Sequence, residues 1–338
     1  MRTISVGLLG CGRIAEIAHM PGYQVVKRAQ LVAVADTNLE RAEWLAKRFG
    51  IKDIYTDPLE IIERKDIDAV DICLPGFLHK QYILAAADAG KHVFCEKPMA
   101  ISVAEANEIV DKVTKSEVRL MVGYNQRFDR PFIKMKEFLD KGLLGSLLTI
   151  DITYVRCGSS ERYVHPSWRA DPANGGGALL DLACHKIDLL RWFAGDVKSV
   201  SAMKSHYLGA EAEDTGVVIL TFHSGALGLL NTSLVCSSPY GELDFAHIYC
   251  SEGTARYSSE LKQAVQVYVK GALLGRTSKF VTLTLPSKKS TYTVELEAFY
   301  NAIINNQTPP ITPHDGRNVL QIVEAARESA RTGKMIFL

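Results

Sequence analysis

The chain has 338 residues, 47% hydrophobic and 23% charged, with a formal net charge of +1. That length exceeds one small core, so two domains are expected, and the balanced charge argues against nucleic acid or an anionic membrane surface as a partner. No apolar run is long enough to cross a bilayer, and the first apolar strand starts at Ile4 with no room for a signal peptide, so a cytoplasmic location is expected.

In chain order, short apolar runs alternate with helical patterns over the first 122 residues. Strands are expected at 4–9, 30–35, 69–74, 92–95 and 119–122, with helices at about 14–26, 39–49, 79–89 and 103–116. Unbroken apolar strands separated by helices signal βαβ units and a parallel sheet covered on both faces. Gly50 and Gly90 stand where a helix closes, and Ser102 followed by Glu105 forms a capping box.

Beyond Gly123 the pattern changes. A helix near 131–141 ends at Gly142, and a β-branched run covers 147–156. Strand-like runs then follow at 197–206, 217–222, 226–235, 244–250, 264–269 and 280–285 with no helix among them, which predicts a large, mostly antiparallel sheet. Helices at 295–305 and 316–332 close the chain. The expected fold class is α/β, with domains at 1–122 and 123–338. Seven cysteines without a C-x-x-C pair suit reduced, buried thiols, and no metal site is expected.

Gly10-Cys11-Gly12-Arg13-Ile14-Ala15 follows the first strand and opens the first helix. Gly10 permits the tight turn, Gly12 lets a pyrophosphate approach the backbone, and Ala15 keeps helix and sheet close. Asp36, 21 residues beyond Ala15, ends the second strand, where a carboxylate accepts both adenosine ribose hydroxyls and repels a 2′-phosphate. This favours NAD over NADP. Arg41 would serve a 2′-phosphate, stack on adenine or lie exposed on its helix.

Glu96-Lys97-Pro98 places a lysine at the carboxyl edge of the sheet, where ligands of open α/β sheets bind. Pro98 restricts Lys97 to extended conformations; by itself, Lys97 reads equally as a surface cation paired with Glu96. Asp181 and His185, four residues apart behind Gly175-Gly176-Gly177, would share one helix face. Asp188 is placed to orient the His185 ring. The same Asp/His pair is also compatible with a surface ion pair.

Together with Pro75 and His79, the run Gly123–Phe128, and Trp168-Arg169, these motifs resemble the Gfo/Idh/MocA oxidoreductase family, and the resemblance spans nearly the whole chain. It implies a Rossmann domain followed by an α/β domain whose open, mainly antiparallel sheet forms a homodimer or homotetramer interface. It also implies catalytic roles for Lys97, which anchors the reacting hydroxyl and nicotinamide ribose, for Asp181, which binds a neighbouring hydroxyl, and for His185 as acid/base. Cofactor contacts are expected from Gly10, Gly12, Arg13, Ile14, Asp36, Arg41, Leu74, Pro75, His79, Glu96 and Lys97, with Asn125, Trp168, Arg169 and Tyr292 at the nicotinamide end. Ala183 stands where the family frequently has glycine.

The expected activity is NAD-dependent oxidation of a secondary hydroxyl on a sugar, cyclitol or related polyol. Substrate contacts are expected from Lys97, Arg127, Asp181 and His185, and from Tyr163 and His165 in a loop-like segment. Two rival readings share the fold: a glycosidase that oxidises its substrate transiently with bound NAD, and a non-catalytic dinucleotide-sensing regulator.

Overall fold

The computed structural model describes residues 3–156, 167–237, 239, 241–261, 263–271, 279–286 and 289–338. Six strands form the first sheet: β1 (Ile4–Leu9), β2 (Ala29–Ala35), β3 (Asp53–Tyr55), β4 (Ala69–Ile72), β5 (His92–Glu96) and β6 (Leu120–Gly123). They are parallel in the order β3-β2-β1-β4-β5-β6. Strand order reverses between β1 and β4, and in open α/β sheets the crevice outside the carboxyl ends at that point receives the ligand. Val6, Leu8, Val70, Ile72, Val93 and Phe94 are all fully buried, as a strand covered by helices on both faces requires.

Local chemistry sets the helix ends. Asn38 Oδ1 accepts the amide of Arg41 to start the helix Leu39–Phe49, and Gly50, at φ 75°, closes it. Ser102 Oγ accepts the Glu105 amide, while the Glu105 carboxylate reaches back to Ile101 N. The helix expected from His79 begins earlier, at Gly76, because Pro75 supplies an extended residue ahead of it. The first helix is not a continuous α-helix. A π-turn at Ala15–His19 precedes the α-turn Met20–Tyr23.

The second sheet has nine strands: β7 (Leu147–Arg156), β8 (Val197–Ser205), β9 (Thr215–Phe222), β10 (Leu227–Ser233), β11 (Glu242–Cys250), β12 (Gly253–Ser258), β13 (Ala264–Val269), β14 (Val281–Thr284) and β15 (Ile336–Phe337). Their order is β14-β13-β12-β11-β7-β10-β9-β8-β15, antiparallel throughout except where β10 runs parallel to β7. β9 alternates buried and exposed along its length, and β10 does so from Leu227 to Leu230, so these strands have one covered and one open face.

The compact units do not follow a single cut at 122. One comprises Met1–Asn125 with Lys289–Leu320, the other Gln126–Lys288 with Gln321–Leu338. The later segment returns to the first unit because its helix Thr291–Ile304 packs there. Leu296 lies over Gly22, where a Cβ would come within 2.9 Å of Leu296 Cδ1, and the Tyr300 hydroxyl meets that of Tyr23 at 2.5 Å.

Candidate active site

In the first unit the glycine turn is tightly specified. Gly10 has φ +96°, and a Cβ there would meet Cys73 O at 2.8 Å and Leu74 Cδ2 at 2.9 Å, so a larger residue is excluded twice over. At Gly12 a Cβ would meet nothing closer than 3.8 Å. The space beside Gly12 is therefore open to a ligand. Cys11 N donates to Asp36 Oδ2 at 2.7 Å, Asn38 N donates to Asp36 Oδ1 at 2.9 Å, and Arg41 Nε donates to Cys11 O at 2.6 Å. Asp36 and Arg41 thus hold the turn from both sides. Burial, then the neighbouring Asp36 charge, pushes the Cys11 thiol up to about 12, so it is neutral at ordinary pH. A tight turn, an open approach and a carboxylate at the end of β2 are the features a dinucleotide requires. Arg13 is exposed and Ile14 half-buried where the helix begins.

Leu74 and Pro75 follow β4, and His79 behind them is fully buried. Its Nδ1 lies 2.7 Å from Pro98 O and its Nε2 lies 2.7 Å from Leu74 O, two carbonyl acceptors of which a neutral ring donates to one. Burial lowers its affinity for a proton. Lys97 is half-buried just beyond β5, its bond to Pro98 is cis, and its amide donates to Glu96 Oε2 at 3.2 Å. Tyr292 lies close enough to feel the charges of Glu96 and Lys97; burial first, then Glu96, pushes its hydroxyl up to about 12. Asn125 Nδ2 donates to Thr291 Oγ1 at 3.4 Å in the same unit.

Sequence reasoning passed over the group behind this edge. His19 is buried, with Nδ1 2.7 Å from Asp71 Oδ2 and Nε2 3.0 Å from Glu96 Oε1. Tyr23 also donates to Asp71 Oδ2, at 2.8 Å. The available signal was Asp71 itself, a lone acid inside a strand buried on both faces, which must find a partner. His19, Asp71 and Cys73 also bring three ligand-type atoms within 4.8 Å of one another, but hydrogen bonds among their neighbours already engage them.

In the second unit, Gly175 (φ 78°) and Gly177 (φ 107°) lead into a π-turn, Ala178–Leu182, that carries Asp181. His185 lies half-buried in the α-helix Cys184–Ala194 that follows. The two residues are therefore not on one regular α-helix: Ala183 N bonds Ala178 O, and the extra residue of the π-turn stands between them. Asp181 is buried, and Arg169 Nε donates to its Oδ2 at 3.0 Å while the guanidinium stacks 4.1 Å from the Trp168 ring centroid. Trp168, Arg169 and Asp181 form one cluster.

Two buried ion pairs involve the helix that carries His185. Arg127 grips both oxygens of Asp188, at 2.7 and 2.5 Å, so the arginine expected at the substrate and the aspartate expected at the His185 ring are bonded to each other. Lys186 meets Asp244 at 2.6 and 2.7 Å between the rings of Phe132 and Tyr154. Tyr163 and His165 lie outside the described residues.

Comparison with known proteins decides the family. The "Oxidoreductase family, NAD-binding Rossmann fold" profile matches residues 4–124, and the "GFO/IDH/MocA C-terminal domain" profile matches residues 132–256. The chain belongs to the Gfo/Idh/MocA oxidoreductases. It is 29% identical to a myo-inositol 2-dehydrogenase of Thermotoga maritima, with 98% of each chain covered. It is also 29% identical to a scyllo-inositol 2-dehydrogenase (NAD(+)) of Bacillus subtilis, covering 99% of this chain and 96% of that one. A solved levoglucosan dehydrogenase, in complex with NADH and levoglucosan, superposes with a TM-score of 0.93 at 27% identity, covering 100% of this chain and 99% of that one. The oxidoreductase is thus an NAD-dependent enzyme with a parallel Rossmann sheet and a second, mostly antiparallel sheet. Among the described residues, no helix is long and apolar enough to cross a membrane.

Proposed function

We propose that this enzyme oxidises a secondary hydroxyl of a sugar, cyclitol or related polyol, with NAD as acceptor. The observation that carries the reading is Lys97 at the carboxyl end of β5, held by Glu96 in the same unit as the Gly10–Gly12 turn. The relatives named for inositols and levoglucosan supply the substrate class.

When bound, NAD accepts the hydride that leaves the carbinol carbon. Gly10, Gly12 and the adjoining helix amides receive its pyrophosphate, and Asp36 receives the adenosine ribose. Arg41 is already bonded to Cys11 O, which supports NAD over NADP. Lys97 donates to the reacting oxygen as negative charge develops there, Asp181 orients a neighbouring hydroxyl, and His185 takes the hydroxyl proton. Arg169 fixes the Asp181 carboxylate and Arg127 holds Asp188 in the second unit, while His79 lies against Pro98 O in the first.

Met203, Val217, Ile219, Leu227, Leu229 and Tyr249 are exposed on the open face of the second sheet. Registers Met203↔Val217, Leu229↔Ile219 and Leu227↔Thr221 place the aliphatic ones on neighbouring strands, and a second copy of the chain is the proposed cover. Four buried free thiols suit a reducing, cytoplasmic setting.

The test is NAD reduction over myo-inositol, scyllo-inositol, glucose and levoglucosan, repeated with NADP and with Lys97→Ala. Stoichiometric NADH with one of these polyols is expected, and Lys97→Ala should lower kcat by roughly 10²–10³ while NADH still binds. Near-normal turnover in Lys97→Ala would remove the role given to that residue. Cleavage of a glycoside without NADH release would favour the glycosidase.

A further inference from the structure

We propose that His19 is a positioning residue for Lys97, acting through the Glu96 carboxylate; the functional part of this inference rests on the role given to Lys97 above. Both ring nitrogens face carboxylate oxygens, Asp71 at 2.7 Å and Glu96 at 3.0 Å. A ring donating at both edges carries two protons. Burial by itself would strip one, but the Asp71 charge and hydrogen bond, helped by Cys73, hold His19 well above the ordinary histidine range.

The far end of the chain of contacts is anchored. Asp71 also takes the Tyr23 hydroxyl at 2.8 Å, and Tyr23 meets Tyr300 at 2.5 Å. Phe94 stands edge-on to the His19 ring at 5.6 Å, and Tyr292 lies 6.2 Å away. The imidazolium therefore cannot turn without breaking a buried charge pair. With Oε1 of Glu96 held by His19, Oε2 faces the Lys97 amide.

Gly123, paired with Glu96 across β5 and β6, leaves room for this arrangement; a Cβ there would come within 3.4 Å of Glu96 Cδ. On the other side His79 Nδ1 lies 2.7 Å from Pro98 O. Lys97 thus sits between two residues, each beside a different buried histidine. A charged surface lysine needs no such support, whereas a group that must meet a reacting oxygen does, since a misplacement of about 1 Å costs about 10²-fold in rate.

Two amide substitutions separate positioning from core stability. His19→Gln carries an NH₂ to the place of Nε2 and keeps the donor to Glu96, whereas His19→Asn keeps only the donor to Asp71. Each removes the positive charge and one of the two contacts, so a merely structural role would move both variants alike. The full chain is assayed for NADH binding by fluorescence, for Lys97 reactivity by competitive acetylation with acetic anhydride and peptide mass spectrometry, and for kcat and KM with the best polyol of the screen.

The expected result is NADH binding preserved in both, Lys97 acetylation and kcat close to wild type in His19→Gln, and a severalfold change in acetylation with a kcat loss of about 10²-fold in His19→Asn. Lys97 acetylation that is unchanged in both variants, or shifted equally in both, would overturn the proposal. If His19→Asn does not fold, His19→Gln still tests the proposal: altered Lys97 acetylation in that variant refutes the positioning. The acetylation readout needs no substrate. A failure of Lys97→Ala to lose activity would therefore end the catalytic reading while still leaving visible whether His19 orders Lys97.

Discussion

Arg327 donates to Glu213 Oε1 through Nη2 at 2.9 Å and Nε at 3.3 Å, and the same Nη2 reaches Gly176 O at 2.7 Å. Glu213, almost wholly buried, also accepts the Leu179 amide at 3.2 Å, and its own carbonyl takes the Ala178 amide at 2.6 Å. One ion pair therefore fixes the glycine loop and the start of the π-turn that carries Asp181.

Removing the cation should expose that dependence. Arg327→Ala removes the closer of two cations from a buried carboxylate, leaving Lys204 at 4.0 Å, and is expected to cost roughly 3 kcal/mol, read by urea unfolding. Gly177→Ala should be comparably harmful, because φ is +107° and the new methyl would run into the Glu213 carboxylate.

Gly10→Ala tests the dinucleotide turn. Its Cβ would strike a main-chain oxygen, Cys73 O, which cannot move aside as a flexible side chain would. NADH affinity measured by fluorescence titration should fall roughly tenfold or more, equivalent to at least about 1.4 kcal/mol. Wild-type affinity would show that the nucleotide does not use this turn.

Two buried histidines predict opposite pH slopes in stability. His19, facing Asp71, Cys73, Glu96, Tyr23, Tyr292 and Tyr300, is held above its ordinary range, so the folded state binds the extra proton above about pH 6.5. That contribution is complete below this pH and is lost as pH rises toward the folded pKa, at up to about 1.4 kcal/mol per pH unit. His79, whose surroundings are Leu74 O, Pro98 O, Glu96 and Lys97, is depressed by burial, so its contribution is lost as pH falls below about 6.5. Urea unfolding at a series of pH values should show the alkaline slope flattened in His19→Gln and the acid slope flattened in His79→Gln.

Ile219→Lys probes the open face of the second sheet. Ile219 is 53% exposed and pairs with Leu229, so a charge there would lie within the aliphatic patch. Light scattering should show wild type as an oligomer and Ile219→Lys as a smaller species with its fold intact by circular dichroism. A monomeric wild type would remove the proposed interface.

The parts of this molecule that depend on local pattern were legible. The β-branched run of β7 and the apolar run of β13 coincide with their expected limits, and Gly50, Ser102 and Glu105 act at helix ends as their chemistry dictates. β3 and β12 escaped notice because Asp53–Tyr55 is very short and Gly253–Ser258 has no apolar run. The return of 289–320 to the first unit was not visible, since Leu296 over Gly22 is a matter of shape between distant segments. Gly10, Asp36, Lys97 and Asp181 were singled out as candidates by motif and by the resemblance they carry. His19 was not, because a single histidine in an apolar helix looks the same whether it fills space or bridges two acids. The π-turn between Gly177 and Ala183 was equally invisible, as nothing in the residue types distinguishes five-residue from four-residue hydrogen bonding there.

The Tyr23–Tyr300 contact joins residues separated by 277 positions. A ribosome has translated most of this chain before the second of them exists. The nascent first sheet lacks the Tyr292 and Tyr300 contacts to His19 and Tyr23 until the helix Thr291–Ile304 emerges. Vectorial synthesis therefore cannot close the first unit around Tyr23 until Tyr300 has been made.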